Sequence, residues 1–211
     1  MKVTRTSKAW MQEHLNDEYV KRAQKEGYRA RAAYKLIEID DKDKLIKPGM
    51  IIVDLGSAPG SWSQVAAQRL KDKSSLKING KVIALDILEM QGIAGVTFIQ
   101  GDFREESVLN QLQDAINNKP VDLVIADMAP NISGIKDVDL AGSALLTELA
   151  LEFCANWLKP NGNFLVKVFI GAGFEEIVKV MRLQFVKVLT RKPKASRDRS
   201  SEVYLLGIGK K

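Results

Sequence analysis

The sequence contains very few of the residues that build disulfides and metal centres. Its 211 residues include one cysteine, Cys154, and one histidine, His14. A single cysteine excludes an internal disulfide, and a structural zinc site needs about four ligands, mostly cysteine or histidine. We therefore expect no bound metal, and the low cysteine content is typical of a reducing compartment such as the cytoplasm.

Long apolar stretches are also absent. No segment reaches the ~20 consecutive apolar residues that a membrane helix needs. The N-terminal segment MKVTRTSKAW is polar and basic, so it lacks the apolar centre of a signal peptide. Since 45% of the residues are hydrophobic, the chain still has enough apolar side chains for the core of one ordinary α/β domain.

Positive charge is concentrated in two segments that lie far apart in the sequence. The formal net charge is +6, but residues 1–36 carry nine lysines and arginines against four acids, and residues 187–199 carry six against one. Each segment has a net charge of +5, which leaves the rest of the chain at −4. If the fold brings the two segments together, they form one surface suited to a phosphate backbone; otherwise they are solvated tails.

Apolar runs and helical segments alternate from residue 50 onward. The predicted strands are 50–55, 81–87, 96–100, 121–126, 163–169, 185–190 and 202–208. The predicted helices are 8–26, 29–39, 61–70, 105–117, 139–158 and 174–184. Apolar strands separated by helices indicate a mostly parallel sheet with helices on both faces, and the last two strands, with no helix between them, predict one antiparallel strand. The pattern predicts one Rossmann-like α/β domain over residues 1–211, with a basic helical extension over 1–40 and the core over 41–211.

The segment VDLGSAPGSWSQ, residues 53–64, joins the first predicted strand to the helix after it. Gly56 and Gly60 allow a tight turn and a close approach of a ligand, and ligands of open α/β sheets bind at the carboxyl ends of the strands. The segment differs from the dinucleotide fingerprint, because Ala58 stands in place of the second glycine and Pro59 lacks an amide donor. It therefore favours a nucleoside cofactor without a pyrophosphate.

Two acidic residues end the next two predicted strands. Asp86 follows the second strand, where a carboxylate can accept hydrogen bonds from both hydroxyls of a ribose, and Asp102 follows the third, where it can accept one from an adenine amino group. Either residue could instead cap a helix or stabilise a turn, and an NAD-dependent oxidoreductase would also use an acid at Asp86. Together with the glycine-rich turn, the two acids predict a cofactor site.

A third acid and a lysine occupy the following strands. Asp127 ends the fourth strand, and Lys167 lies in the apolar run NFLVKVF of the fifth. Strand alternation places Lys167 on the same face as Leu165 and Phe169, close to the carboxyl end. An unpaired buried charge costs several kcal/mol, so we expect Lys167 to reach solvent, to have partners or to have a chemical role.

Six segments of the chain, taken together and in order, resemble those of a known family. They are RARAAYKLIEI, VDLGSAPGSWSQ, QGDFR, DMAPNISG, VKVF and RKPKASRDRSSEVY. With them the sequence resembles, over nearly its whole length, the FtsJ family of heat-shock ribosomal RNA methyltransferases. One departure is Ser61, where close bacterial relatives usually have a glycine, and a serine is tolerable at the start of a helix.

The resemblance implies S-adenosylmethionine as the cofactor and the 2′-hydroxyl of a uridine ribose as the acceptor, in 23S ribosomal RNA of the assembled 50S subunit. It implies a catalytic tetrad, which by motif match is Lys35, Asp127, Lys167 and Glu202. It also implies cofactor contacts at Gly60, Trp62, Asp86, Asp102 and Asp127. We expect a monomer that associates with no membrane.

The tetrad suggests roles for its members. Lys167 would accept the proton of the 2′-hydroxyl while Asp127 and Glu202 orient it, and Lys35 would favour the neutral form of Lys167 or hold the ribose. Alternatively, Lys167 stays charged and only orients the hydroxyl. Because both basic segments run into tetrad residues, the expected RNA contacts are Arg29, Arg31, Arg197 and Arg199. Three other interpretations stay open at this point: a tRNA or mRNA-cap methyltransferase, a non-catalytic ribosome assembly factor and an NAD-dependent oxidoreductase.

Overall fold

A seven-stranded sheet forms the centre of the molecule. The computed structural model describes residues 17–72, 74, 77–130, 133–197 and 200–211. The strands are β1 (Ile51–Leu55), β2 (Lys81–Asp86), β3 (Val96–Gln100), β4 (Val121–Ala126), β5 (Leu158–Phe169), β6 (Phe185–Arg191) and β7 (Glu202–Lys210). They lie in the order β3-β2-β1-β4-β5-β7-β6. Strands β1 to β5 pair in parallel, and β7 pairs antiparallel with β5 and β6, which confirms the predicted mostly parallel sheet with one reversed strand.

Helices cover both faces of the sheet. In the described ranges they are α1 (Glu18–Glu26), α2 (Ala33–Asp43), α3 (Ser61–Arg69), α4 (Glu106–Ala115), α5 (Lys136–Trp157) and α6 (Phe174–Gln184). Val53 and Val166 point to the face covered by α4, α5 and α6, whereas Ile52 and Leu165 point to the face covered by α2 and α3. Successive strand residues alternate between faces, so burial of both faces explains the continuous apolar runs.

The N-terminal helices differ from the prediction in their starting points. Helix α1 is described from Glu18, and the part of the predicted helix before residue 17 lies outside the described residues. The second helix begins at Ala33 rather than at residue 29. Residues 29–32 form bends and turns instead, and the Arg29 amide donates to the Gln64 side chain at 2.9 Å. This contact with a distant residue is one that sequence periodicity cannot show.

Strand β5 is longer than predicted. It begins at Leu158 rather than at residue 163, and its pairing with β4 contains a register shift. Asn161 adopts a left-handed conformation with φ of 63° within this stretch. The turn-forming residues of the segment KPNG therefore form a bulge in the strand rather than a separate loop.

The strand order places one crevice at a defined edge of the sheet. Strand β1 lies between β2 and β4, so the chain leaves β1 toward one side of the sheet and later returns to the other. Ligands of such sheets bind at the carboxyl ends of the strands near this reversal. The segments that follow β1, β2, β3 and β4 therefore frame the crevice where a ligand would bind.

Candidate active site

A cavity of about 360 Å³ opens at the carboxyl ends of β1 to β4. Its walls include Ala58 from the turn after β1 and the three predicted acids Asp86, Asp102 and Asp127. Gly56, with φ of 70°, also lines it, and a Cβ atom there would lie 2.3 Å from Met128 Cγ. The glycine thus lets the turn after β1 pack directly against the segment after β4.

Asp86 holds the cavity wall in place. Its Oδ2 accepts a hydrogen bond from the Ala58 amide at 2.8 Å, and its Oδ1 accepts one from the Leu88 amide at 2.8 Å. An ionised carboxylate has about four lone-pair sites, so both oxygens can accept a further bond. Asp86 can therefore position the wall and still accept hydrogen bonds from a ligand.

Asp102 is paired with Arg104. The Arg104 Nε lies 2.8 and 2.9 Å from the two carboxylate oxygens, and the Arg104 amide donates to Oδ1 at 3.0 Å. Hydrogen bonds from the Arg104 side chain lower the pKa of Asp102 despite its partial burial. The carboxylate is therefore ionised at neutral pH, and a ligand amino group that binds here shares it with Arg104.

Gly60 and Trp62 lie behind the cavity rather than in its wall. Gly60, with φ of 106°, precedes α3, and a Cβ atom there would lie 2.7 Å from Met90 Sδ. The Trp62 indole is 2% exposed, and its Nε1 donates to the Ala32 carbonyl at 2.9 Å. Neither residue is among those that line the cavity, so the contacts of both fix the position of the turn and of α3.

Lys167 is buried beside Asp127. The lysine is 8% exposed, and its Nζ donates to the Asp127 backbone carbonyl at 2.9 Å and lies 3.2 Å from Asp127 Oδ1. Among the three outcomes expected for this buried ammonium, the structure shows the one with partners. Lys167 does not itself line the cavity, but its nitrogen contacts Asp127, which does.

The other two expected tetrad members form a second pair. Lys35 Nζ on α2 lies 2.7 Å from Glu202 Oε1 at the start of β7, and Glu202 Oε1 also accepts from Ser196 Oγ at 2.9 Å. Burial raises the pKa of Glu202, but the Lys35 and Lys167 ammonium groups and the hydrogen bonds outweigh it, so the net shift is downward. Glu202 is thus ionised and holds Lys35 next to β7.

Tyr204 joins the two pairs, and sequence reasoning missed it. Its hydroxyl lies 3.0 Å from Asp127 Oδ1 and 3.2 Å from Glu202 Oε1. Burial, reinforced by the neighbouring carboxylates, raises the pKa of Tyr204 well above its ordinary value, so the hydroxyl keeps its proton. A signal was present: Tyr204 is two residues beyond Glu202 on β7 and therefore shares its face.

Comparisons with known proteins identify the family of this chain. The profile of the family described as FtsJ-like methyltransferase matches residues 28–210. The chain belongs to the FtsJ-like methyltransferase family. It is 74% identical over 208 residues, which are 99% of this chain and 98% of the relative, to the ribosomal RNA large subunit methyltransferase E of Methylobacillus flagellatus. It is 62% identical, over the full length of both chains, to the protein of the same name from Nitrosospira multiformis.

A solved structure extends the likeness to the fold. The chain matches a Plasmodium falciparum protein described as a ribosomal RNA methyltransferase with a TM-score of 0.77 and 33% sequence identity. The match covers 87% of this chain and 98% of the other. Membership of the FtsJ-like methyltransferase family decides against the NAD-dependent oxidoreductase that the sequence had left open.

This FtsJ-like methyltransferase also brings its two basic segments together. Arg31 donates to the Ala195 carbonyl and pairs with Asp17, and the Glu38 carboxylate accepts from the amides of residues 194 and 195. Arg31 and Arg197 line one shallow cavity with Lys35 and Glu202. Arg29 points elsewhere, toward the carbonyls of Pro59, Gln91 and Gly92, and Arg199 lies outside the described residues.

A buried acid behind the cofactor turn of the FtsJ-like fold was not expected from the sequence. Asp54 in β1 is fully buried, and its Oδ2 accepts from Ser63 Oγ at 2.6 Å, whereas its Oδ1 has no hydrogen-bond partner among the described residues. Burial raises the pKa of Asp54 to about 7, and Asp127 and Asp86 add to the effect. The only available signal was an acid inside an otherwise apolar strand.

Within the described ranges there is no cluster of three or more histidine, cysteine or acidic residues that could hold a metal ion. The helices in the same part of the chain include none that is both long and apolar enough to cross a membrane.

Proposed function

We propose that this protein transfers a methyl group from S-adenosylmethionine to a ribose 2′-hydroxyl of a uridine in large-subunit ribosomal RNA. The observation that carries the proposal is the continuous set of contacts from Lys167 through Asp127, Tyr204 and Glu202 to Lys35 at the edge of the cavity. Relatives over 60% identical are named ribosomal RNA large subunit methyltransferases, which supports this RNA as the substrate.

The residues of the cavity fit S-adenosylmethionine. Asp86 offers acceptors for ribose hydroxyls, Asp102 offers one for an adenine amino group, and Asp127 offers negative charge to a cationic ligand. Gly60 and Trp62 support the site through the position of the turn between β1 and α3. When bound, S-adenosylmethionine supplies a methyl group on a sulfonium centre that needs no further activation.

Lys167 is the proposed proton acceptor. General-base assistance is worth roughly 10²- to 10⁴-fold in rate, but it requires a neutral amine. The position of the amine supports this role, because Lys167 Nζ lies 3.2 Å from Asp127 Oδ1, and Asp127 lines the cavity. Asp127 also accepts from Tyr204, so it can orient both groups.

The two basic segments, which the fold brings together, are proposed to form the surface that binds RNA. Arg31 and Arg197 lie beside Lys35 and Glu202, so a phosphate bound there would lie close to the proton acceptor. RNA backbones are bound mainly through such cationic groups, and the affinity depends on salt. Arg199 belongs to the proposal by sequence position, and the contacts of Arg29 give it a different role.

The decisive experiment is transfer of a labelled methyl group to large subunits isolated from a strain that lacks this modification, followed by mapping of the modified nucleotide. We expect label on one ribose 2′-oxygen of a uridine. Label on a tRNA or a cap instead would move the proposal to those substrates, and no transfer to any RNA would favour a non-catalytic assembly factor.

A pH–rate profile in single turnover tests the role of Lys167. A base gives a rate that rises through an alkaline apparent pKa, and Lys167→Ala abolishes that rise. A loss of rate in Lys167→Ala with an unchanged pH profile would show that the ammonium only orients the hydroxyl. Full activity of Lys167→Ala would contradict both roles.

A further inference from the structure

The Arg29 guanidinium connects the N-terminal segment of the chain to two other segments. Its NH1 donates to the Pro59 carbonyl at 2.8 Å and to the Gln91 carbonyl at 2.7 Å, and its NH2 donates to the Gly92 carbonyl at 2.8 Å. All three acceptors are backbone atoms, and they come from two separate segments. Arginine suits this task because its planar group presents several donors in a fixed arrangement.

The two segments are connected to two neighbouring walls of the cofactor cavity, which meet where the Ala58 amide donates to Asp86. Pro59 belongs to the turn after β1, next to Ala58 in one wall, and residues 91 and 92 follow the wall formed by Asp86 and Leu88. The space between them is tight, since a Cβ atom on Gly60 would lie 2.9 Å from Arg29 NH1 and 2.7 Å from Met90 Sδ. A shift of Arg29 would therefore change the spacing of the two walls.

The backbone around Arg29 is also attached to helix α3. The Arg29 amide donates to Gln64 Oε1 at 2.9 Å, and Gln64 Nε2 donates to the Gly27 carbonyl at 3.1 Å. The Trp62 indole adds a bond to the Ala32 carbonyl. These hydrogen bonds attach residues 27–32 to the start of α3, so the two parts move together.

The same short segment leads directly into the RNA-facing surface. Arg31 is two residues beyond Arg29 and binds the C-terminal basic segment at Ala195. Lys35, on the helix that begins at Ala33, pairs with Glu202. A change in the turn after β1 therefore has a direct route, through hydrogen bonds and covalent bonds, to the groups proposed to contact RNA.

We propose that Arg29 is a positioning residue that couples cofactor binding to RNA binding, by joining both walls of the cofactor cavity to the N-terminal segment that carries Arg31 and Lys35. This inference rests on the proposed function. It assigns Arg29 a role different from the phosphate contact that the basic segment had suggested. Because coupling of two binding equilibria is reciprocal, each ligand strengthens the binding of the other by the same factor.

Calorimetric binding of S-adenosylmethionine without RNA is the first test. Arg29→Lys keeps the charge, but a single ammonium nitrogen cannot reproduce the planar spread of NH1 and NH2 over the two segments, so we expect about tenfold weaker binding. Arg22→Lys is the matched control: its arginine lies on the same N-terminal part of the chain but pairs with Glu26, and its affinity should match the wild type. Equal affinities of Arg29→Lys and the wild type would overturn the proposal.

The second test measures coupling with S-adenosylhomocysteine, which cannot transfer a methyl group. We expect it to tighten binding of unmethylated large subunits to the wild type, and to leave their binding to Arg29→Lys almost unchanged. The salt dependence of RNA binding distinguishes the two roles of Arg29: Arg29→Gln should keep the wild-type slope, and a slope reduced as in a phosphate contact would overturn the proposal.

Two further controls keep the outcomes separate. If Arg29→Lys does not fold, Gln64→Met loosens the same segment from α3 without touching the guanidinium, and it should reduce the coupling in the same direction. If the wild type does not bind S-adenosylmethionine at all, the proposed function is wrong. If the wild type binds and methylates while Arg29→Lys and Gln64→Met behave like it, only the coupling is wrong.

Discussion

At the scale of single residues, one phenol hydroxyl serves two carboxylates. Tyr204 has one proton, so its hydroxyl donates to either Asp127 or Glu202 at a given moment, at 3.0 or 3.2 Å. Both acids keep a lysine partner in either arrangement. The hydroxyl can therefore adjust how much negative charge faces Lys167 without movement of the backbone.

We expect Tyr204→Phe to lower kcat by about ten- to a hundredfold, because it removes a hydrogen bond to a charged group. The ring remains to pack against Trp62, whose centroid is 5.6 Å away, so affinity for S-adenosylmethionine should stay within about twofold. Steady-state kinetics measures kcat, and calorimetry measures the affinity for S-adenosylmethionine. Tyr28→Phe, which removes an exposed hydroxyl bound to Gln68, is the control, and an unchanged kcat in Tyr204→Phe would contradict the role of the hydroxyl.

Asp54 gives a prediction for the pH dependence of stability. Its folded-state pKa of about 7 lies above the unfolded value of ~3.9, so the folded state binds more protons between these values. Its contribution to the free energy of unfolding is full below about pH 4 and is lost as the pH rises through 7, by at most ~1.4 kcal/mol per pH unit.

Asp54→Asn should remove this slope. Urea unfolding at several values between pH 5 and pH 8 is the measurement, and the slope is compared rather than the absolute stability, because a buried amide changes stability at every pH. Asp114→Asn, an exposed change on α4, should keep the wild-type slope. A slope in Asp54→Asn equal to that of the wild type would show that Asp54 is already ionised.

At the scale of elements, the packing of two turns defines the cofactor cavity. The turn after β1 approaches the segment after β4 so closely that a Cβ atom on Gly56 would lie 3.1 Å from Met128 Cα, a backbone atom, as well as 2.3 Å from its Cγ. A side chain can rotate away, but the backbone after Asp127 would have to move. A glycine is therefore required at this position both by the close approach of the two segments and by the positive φ.

Gly56→Ala should cost about 2–3 kcal/mol of stability, from a left-handed alanine and from the overlap with Met128, and it should weaken S-adenosylmethionine binding. Gly49→Ala separates the two causes. Gly49 also has a positive φ of 89° but nothing within 4 Å of an added Cβ atom, so it should cost about 1–2 kcal/mol with unchanged binding. Thermal unfolding and calorimetry test both, and wild-type binding by Gly56→Ala would refute the link between the turn and the cavity.

At the scale of the whole molecule, the fold joins basic segments from the two ends of the sequence. Arg31 contacts the C-terminal segment at Ala195, and Arg191 pairs with Asp43 of α2. Both contacts lie on the side of the sheet covered by α2 and α3, away from α6. The described parts of the two basic segments therefore meet at one surface, where Arg31 and Arg197 lie beside Lys35 and Glu202.

Neutralising this surface should reduce the salt dependence of RNA binding. Arg31→Gln and Arg197→Gln should each lower the slope of log K against log salt by about one, the change expected for one lost phosphate contact. Lys179→Gln, an exposed change on α6 at the opposite face, should leave the slope unchanged. Filter binding over a series of salt concentrations provides the data, and equal slopes for all three variants would remove the proposed RNA surface.

The sequence predicted what depends on strand order and alternation. Asp86, Asp102 and Asp127 line one cavity because parallel strands end at one edge, and Lys167 contacts Asp127 from the face that the two-residue period of β5 gives it. Alternation places Tyr204 on the same face as Glu202, but that its hydroxyl reaches Asp127 depends on the register of β7 against β5, which pairs distant segments. The sequence also did not predict that the Arg29 side chain binds backbone carbonyls of the same protein. A basic segment does not show which of its side chains make such internal contacts.

The position of β7 has a consequence for the synthesis of the protein. It is the last strand along the chain, yet it lies between β5 and β6, so both neighbours leave the ribosome before the strand that must separate them. The walls of the cofactor cavity are complete by residue 146, whereas Glu202 and Tyr204 arrive with β7. A growing chain can therefore form the cavity before it has the Glu202 partner of Lys35 and the Tyr204 hydroxyl that reaches Asp127.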